Sequence, residues 1–144
     1  MVRTEVYAVG RMNGDRLWAV VGDLWRLAEW TGADLVRAVD PEPVDVGTVV
    51  ATVEDGQART WRVTTESRWL REMESPRPAG VLSLGYRVVR DPLGCRLILA
   101  AGLEREDGRR LSGLAALRSR MIDLPSLRTQ LDRWSRDALR AAGG

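Results

Sequence analysis

Three side chains near the middle of the chain have the types needed to act on a carbonyl compound: Arg71, Glu72 and Tyr86. A phenol donates a hydrogen bond to a carbonyl oxygen, a guanidinium stabilises an enolate, and a carboxylate moves the proton between them. The same residues also have a plainer reading. Tyr86 suits a core position with its hydroxyl satisfied, and Arg71 with Glu72 suits a solvent-side pair. Composition removes other chemistries. The 144 residues include no histidine, which takes away the commonest general base, the commonest metal ligand and any imidazole triad. Cys95 is the single cysteine, so no internal disulfide can form, and its place after a turn suits an inert thiol. No metal and no cofactor are expected.

Hydrophobic periodicity shows what must position these side chains. From Trp69 to Glu74 the chain alternates Trp69, Arg71 and Met73 against Leu70, Glu72 and Glu74. Whichever set faces a core carries a charge inward, and an unpaired buried charge is costly. The inward residue therefore needs a partner, a water or a ligand. Upstream, alternation turns Trp61, Val63 and Thr65 inward and sends Thr60, Arg62, Thr64 and Glu66 to solvent. Downstream, Leu82, Leu84, Tyr86 and Val88 share one face, as do Leu97, Leu99, Ala101 and Leu103.

These runs group into hairpins, residues 45–54 with 58–66 through Asp55-Gly56, and 81–90 with 95–106 through 91–94. Before them, Arg3 to Met12 reads as a strand and Asn13 as an N-cap. Residues 16–30 have helical spacing, bent at Gly22-Asp23 into two short helices and ended at Thr31-Gly32. A strand over Asp34 to Val39 runs into Pro41-Glu42-Pro43. Trp69 to Glu74 is closed by Pro76-Arg77-Pro78, and Ser112 to Met121 again has helical spacing. The last helix runs from Leu124 to Ala141, with Leu124, Leu127, Leu131, Trp134, Ala138 and Ala141 on one face.

This order predicts an α+β fold in one domain over residues 1–144: a curved antiparallel sheet of six or seven strands wrapped around a long C-terminal helix. Ligands of such folds enter the space between sheet and helix. The predicted lining is Trp61, Val63, Thr65, Leu82, Leu84, Leu97, Leu99 and Ala101 from the strands, with Leu127, Leu131 and Trp134 from the helix and Gln130 at its rim. An apolar wall with so few polar points suits a hydrophobic ligand bearing a carbonyl or hydroxyl.

All 22 basic residues are arginine, yet the net charge is only +2 and acids are interleaved throughout. Codon bias toward G and C accounts for the missing lysine. No basic run with interleaved aromatics occurs, so nucleic acid is not expected. An acidic protein partner on a local arginine patch stays open, as do monomer and homodimer. With no run of eighteen apolar residues and no signal-peptide pattern, a cytoplasmic protein without a transmembrane segment is the default.

The run Leu17-Trp18-Ala19-Val20-Val21-Gly22-Asp23-Leu24, followed by Glu29-Trp30, resembles the opening signature of the polyketide cyclase/dehydrase family. That family belongs to the SRPBCC (START-like, helix-grip) superfamily. Trp18, Asp23 and Trp30 keep its spacing, Val46-Gly47-Thr48 matches the glycine opening its third strand, and the final helix matches the gripped one. Asn13-Gly14 stands where a proline-containing helix entry is usual. The resemblance implies structural roles for Trp18 and Trp30 and a small apolar or aromatic ligand under the long helix. It implies either cyclisation or dehydration of a polyketide-like chain, without metal or covalent intermediate, or transport of a lipid, quinone or other apolar molecule. A cyclase would hold a poly-β-ketone so that carbon and carbonyl meet, with Arg71, Glu72 and Tyr86 in the roles above and an acidic carrier protein presenting the substrate. If side chains fill the core and leave no pocket above roughly 300 Å³, a protein-interaction role with a vestigial cavity remains.

Overall fold

The computed structural model describes residues 2–104 and 124–143. The first strand, β1 (Val2–Gly10), buries Val6 and leaves Tyr7 exposed. Asn13 then caps α1 (Gly14–Val21), its side-chain oxygen accepting from the Arg16 N–H at 2.9 Å. Asp23 does the same for a 3₁₀ helix over Leu24–Glu29, accepting from the Trp25 N–H at 3.0 Å. The bend expected at Gly22-Asp23 is therefore made by a second cap.

Six strands follow: β2 (Leu35–Asp40), β3 (Val49–Glu54), β4 (Gln57–Ser67), β5 (Leu70–Arg77), β6 (Gly80–Asp91) and β7 (Gly94–Glu104). They form one seven-stranded sheet in the order β1-β7-β6-β5-β4-β3-β2, and every neighbouring pair is antiparallel. Asp55 and Gly56 both take positive φ, 50° and 74°, the conformation of a tight hairpin turn that follows the sheet twist. Strand β5 is longer than the sequence predicts. It starts after Trp69, held at φ 62°, and runs through Pro76, which pairs with Val81 at the strand's end. The helix expected over Ser112 to Met121 lies outside the described residues.

The long helix, α2 (Leu124–Ala141), lays Leu131, Trp134 and Ala138 on the sheet, chiefly over β1 and next over β7. Beneath them lie Val6, Leu97, Leu99, Leu84 and Tyr86, each under 5% exposed. Burying each such leucine contributes about 1.5–3 kcal/mol. Close backbone approach fixes the helix's far end. A Cβ on Gly10 would stand 2.7 Å from Leu139 Cδ2, and one on Gly94 (φ 144°) would stand 2.4 Å from the Gly10 carbonyl oxygen. Among the described residues no helix is long and apolar enough to cross a membrane.

Candidate functional site

A bulge decides which residues reach the interior. In β4, Val63 pairs with Met73, but Thr65 pairs with Glu72 and Glu66 with Arg71. One extra residue, Thr64, reverses the alternation, so that both sides of the bulge share a partner strand in a single phase. Arg71, Met73 and Ser75 are buried and Glu72 is exposed. The choice left open by the sequence is thereby made: Arg71 faces inward and Glu72 outward. The bulge also overturns two expectations. Glu66, assigned to solvent, turns in to meet Arg71, while Thr65, assigned to the cavity, lies opposite exposed Glu72.

Arg71 is 2% exposed and almost fully engaged. Its Nε donates to Glu66 Oε2 at 2.6 Å, Nη2 to Glu66 Oε1 at 3.0 Å, and Nη1 to both the Gly22 carbonyl at 2.8 Å and the Tyr86 hydroxyl at 3.1 Å. It lies over the ring of Trp18 as well. Burial works against its charge, but the bonds to Glu66 and Tyr86 outweigh this and raise its pKa. The cation thus ties β5 to the end of α1. Burial pushes the Tyr86 hydroxyl up to about 12, although Arg71 opposes the shift. Its folded pKa exceeds the ordinary value of about 10, so the stabilisation is complete below pH 10. It is lost as pH rises through about 12. Urea unfolding followed between those pH values is expected to show this loss in the wild type and a smaller one in Tyr86→Phe.

Tyr86 begins a chain of aromatic rings leading to the surface. Trp30, fully buried, meets it edge-on with ring centroids 5.2 Å apart and meets Trp134 of α2 at 6.4 Å. Among the described residues the Trp30 indole N–H has no hydrogen-bond partner. The Tyr86 hydroxyl accepts from Arg71, and no acceptor for its own hydrogen is found among the described residues. Where Trp134 reaches the surface, a cleft of about 10 Å³ opens between it and Leu27, Thr31, Trp61 and Glu54. That is room for about one water. Glu54 closes the cleft with a polar clamp, accepting from Thr52 at 2.9 Å, Trp61 at 3.1 Å and Arg77 at 3.1 and 3.2 Å. Burial raises its pKa, but Arg77 chiefly, with Thr52 and Trp61, outweighs this and holds the carboxyl below its ordinary value.

The remaining predicted lining divides. Trp61, Val63, Leu84, Leu97, Leu99, Ala101, Leu131 and Trp134 are buried in one core, Leu82 and Leu127 are half-buried against it, and Gln130 is exposed. Gln130 nevertheless stands beside the cleft: a Cβ on Gly32, which lines it, would lie 3.8 Å from Gln130 Nε2 and 3.7 Å from Trp134 Nε1. Among the described residues the buried side chains pack against one another in a single cluster. The larger depression, about 530 Å³, is on the opposite face of the sheet, floored by Ser83, Gly85 and Ala100 and walled by Arg3, Glu5, Glu72 and Arg87. Glu72 belongs there, so Arg71, Glu72 and Tyr86 do not form one site. Trp30, which sequence reading treats as structural, and the Glu54–Arg77 clamp were missed. For the clamp the sequence offers no signal beyond charges 23 residues apart. Among the described residues no group of three His, Cys, Asp or Glu side chains is placed to hold a metal.

No family model matches this sequence, and no curated protein does. Solved structures do match along almost the whole chain. Zhui aromatase/cyclase from Streptomyces sp. R1128 is 17% identical with a TM-score of 0.69, over 98% of this chain and 93% of that one. The protein XoxI from Bacillus cereus is 11% identical with a TM-score of 0.71, over 98% and 95%. Ara h 8.0201 is 12% identical with a TM-score of 0.63, over 97% and 96%. At these identities the likeness is one of fold: the chain shares with these proteins a helix-grip architecture, an antiparallel sheet closed over a C-terminal helix.

Proposed function

We propose that the protein binds a small apolar, polyketide-like or aromatic molecule between β3–β6 and the aromatic residues that cover them, entering where Trp134 now closes the mouth. The observation that carries this reading is the fully buried indole donor of Trp30, for which no partner is found among the described residues. Leaving a buried donor unpaired costs about 1–3 kcal/mol. A core sealed for packing alone would not retain that cost, whereas a binding site recovers it when occupied. The present space of about 10 Å³ means that the ligand must displace the Trp134 ring.

Binding without turnover is the role that the geometry favours. Cyclisation is the activity raised by the likeness to Zhui aromatase/cyclase, and an acidic carrier protein would then deliver the substrate. It would call on Arg71, whose hydrogen bonds are already committed to Glu66, Gly22 and Tyr86. A second reading, protein interaction with a vestigial cavity, is favoured by the packing of the buried residues into one cluster. Fluorene, a neutral polycyclic hydrocarbon, distinguishes the two. Titration monitored by tryptophan fluorescence is expected to show saturable one-to-one binding, tighter in Trp134→Ala because no indole need leave. If neither protein binds fluorene saturably, the ligand-binding reading fails and the interaction reading stands.

A further inference from the structure

We infer that the β6–β7 turn docks on the surface of an anionic phospholipid bilayer, Leu93 entering the acyl boundary and the surrounding arginines meeting the phosphates. The turn joins Asp91 to Gly94, and Leu93 within it is 62% exposed. Turns are ordinarily made of Gly, Pro, Asn, Asp or Ser, so turn chemistry does not call for a leucine there. Two more exposed apolar residues continue from it along the outer face of β1. Val9 pairs with Arg96 of β7, and Tyr7, 65% exposed, has the Arg96 guanidinium over its ring at 4.8 Å. A tyrosine so placed suits the headgroup level, where an amphipathic ring is at home.

The turn is built to present its leucine without a carboxylate beside it. Asp91 accepts from the Leu93 N–H at 3.0 Å and from Arg96 Nη2 at 3.1 Å, and its side chain is only 7% exposed. Gly94 seats the turn against the backbone of Gly10 and Met12. Arg90 precedes the turn, Arg11 follows Gly10, and Arg68 lies in the β4–β5 turn, where the Trp69 carbonyl accepts from the Val88 N–H at 2.9 Å. Arg11, Arg68 and Arg90 are exposed and enter none of the ion pairs found among the described residues. Against them stand Glu5, further down β1, and Asp15, which has Arg16 beside it on α1. The balance at the tip is therefore positive, as an anionic lipid surface requires. A projecting turn with one aliphatic point suits a soft surface, apolar within and anionic outside. An acidic protein would have to supply a pocket for Leu93 as well as the charge.

Co-sedimentation with vesicles tests this, using phosphatidylcholine alone and phosphatidylcholine mixed with phosphatidylglycerol. The wild type is expected to partition onto the mixed vesicles, far less onto the neutral ones, and to be released as salt rises. Leu93→Ser is expected to weaken partitioning about ten-fold, as loss of a buried leucine would, and Arg90→Gln about five-fold. Leu35→Ser removes an exposed leucine from β2, at the other edge of the sheet, and is expected to change nothing. Circular dichroism checks that each variant folds, and Leu93→Ala replaces Leu93→Ser if that one does not. Absence of partitioning onto the mixed vesicles would overturn the proposal. So would equal weakening by Leu93→Ser and Leu35→Ser. Weakening by Arg90→Gln but not by Leu93→Ser would also overturn it, because charge alone, such as an acidic protein answers, would then hold the protein. Fluorene binding is a separate measurement, so the ligand-binding reading stands or falls apart from this one.

Discussion

Glu66→Ala is expected to lower stability by about 3 kcal/mol, near the lower end of the roughly 3–5 kcal/mol that follows removal of one partner from a buried ion pair. The variant leaves the Arg71 guanidinium, 2% exposed, without a counter-charge. The Gly22 carbonyl and Tyr86 hydroxyl still accept from Nη1, which is why the loss does not reach the upper end. Glu66 itself retains 18% exposure, so some water can replace it. Urea unfolding measures the effect. Glu29→Ala supplies the contrast, since its pair with Arg26 is exposed on both sides and should contribute about 0–1 kcal/mol. Replacing both partners, as Glu66→Leu with Arg71→Met, is expected to restore most of the stability, because no charge then remains in the core. Equal losses for Glu66→Ala and Glu29→Ala would show that water takes the place of Glu66 at Arg71 completely.

Leu131→Ala should cost about 2–5 kcal/mol, the range for a large aliphatic side chain removed from a packed core. Leu131 is fully buried and sits one turn before Trp134 on the face that α2 presents to the sheet. Its position also makes the variant informative about the interior. If side chains can be displaced to admit a ligand, deleting this one leaves a dry apolar void that a hydrocarbon can fill. Fluorene should then raise the melting temperature of Leu131→Ala by more than that of the wild type, because binding to the folded state alone adds to its stability. Thermal unfolding with and without fluorene measures both effects. An unchanged stability would mean that the helix does not grip the sheet through this residue.

Much of the architecture is legible in the sequence because it rests on local rules. The stripe from Leu124 to Ala141 needs only helical spacing, the caps at Asn13 and Asp23 need only a short polar side chain before a helix, and the hairpin at Asp55-Gly56 needs only positive φ. The site is less legible because it depends on pairing between distant strands. Nothing in the alternation of residues 60–66 announces that Thr64 is the extra residue, yet that one residue decides where Thr65 and Glu66 go. The identity of the inward charge in β5 follows from the same register. The outer depression needs Gly85 and Ala100 to be paired across β6 and β7, which no single segment reveals. The space left inside depends on how Trp30, Tyr86 and Trp134 fit together, and side-chain volumes alone do not give that fit.

The bulge in β4 and the ion pair it serves depend on one another. A relative without the extra residue would send the carboxylate at position 66 to the outside, and an arginine opposite it would be stranded. No point substitution within β4 corrects the phase, because phase is a property of residue count. Insertion and charge must therefore appear, and disappear, as one heritable unit. In comparisons among helix-grip chains, a one-residue gap at this place is an indicator of what lies beneath the sheet.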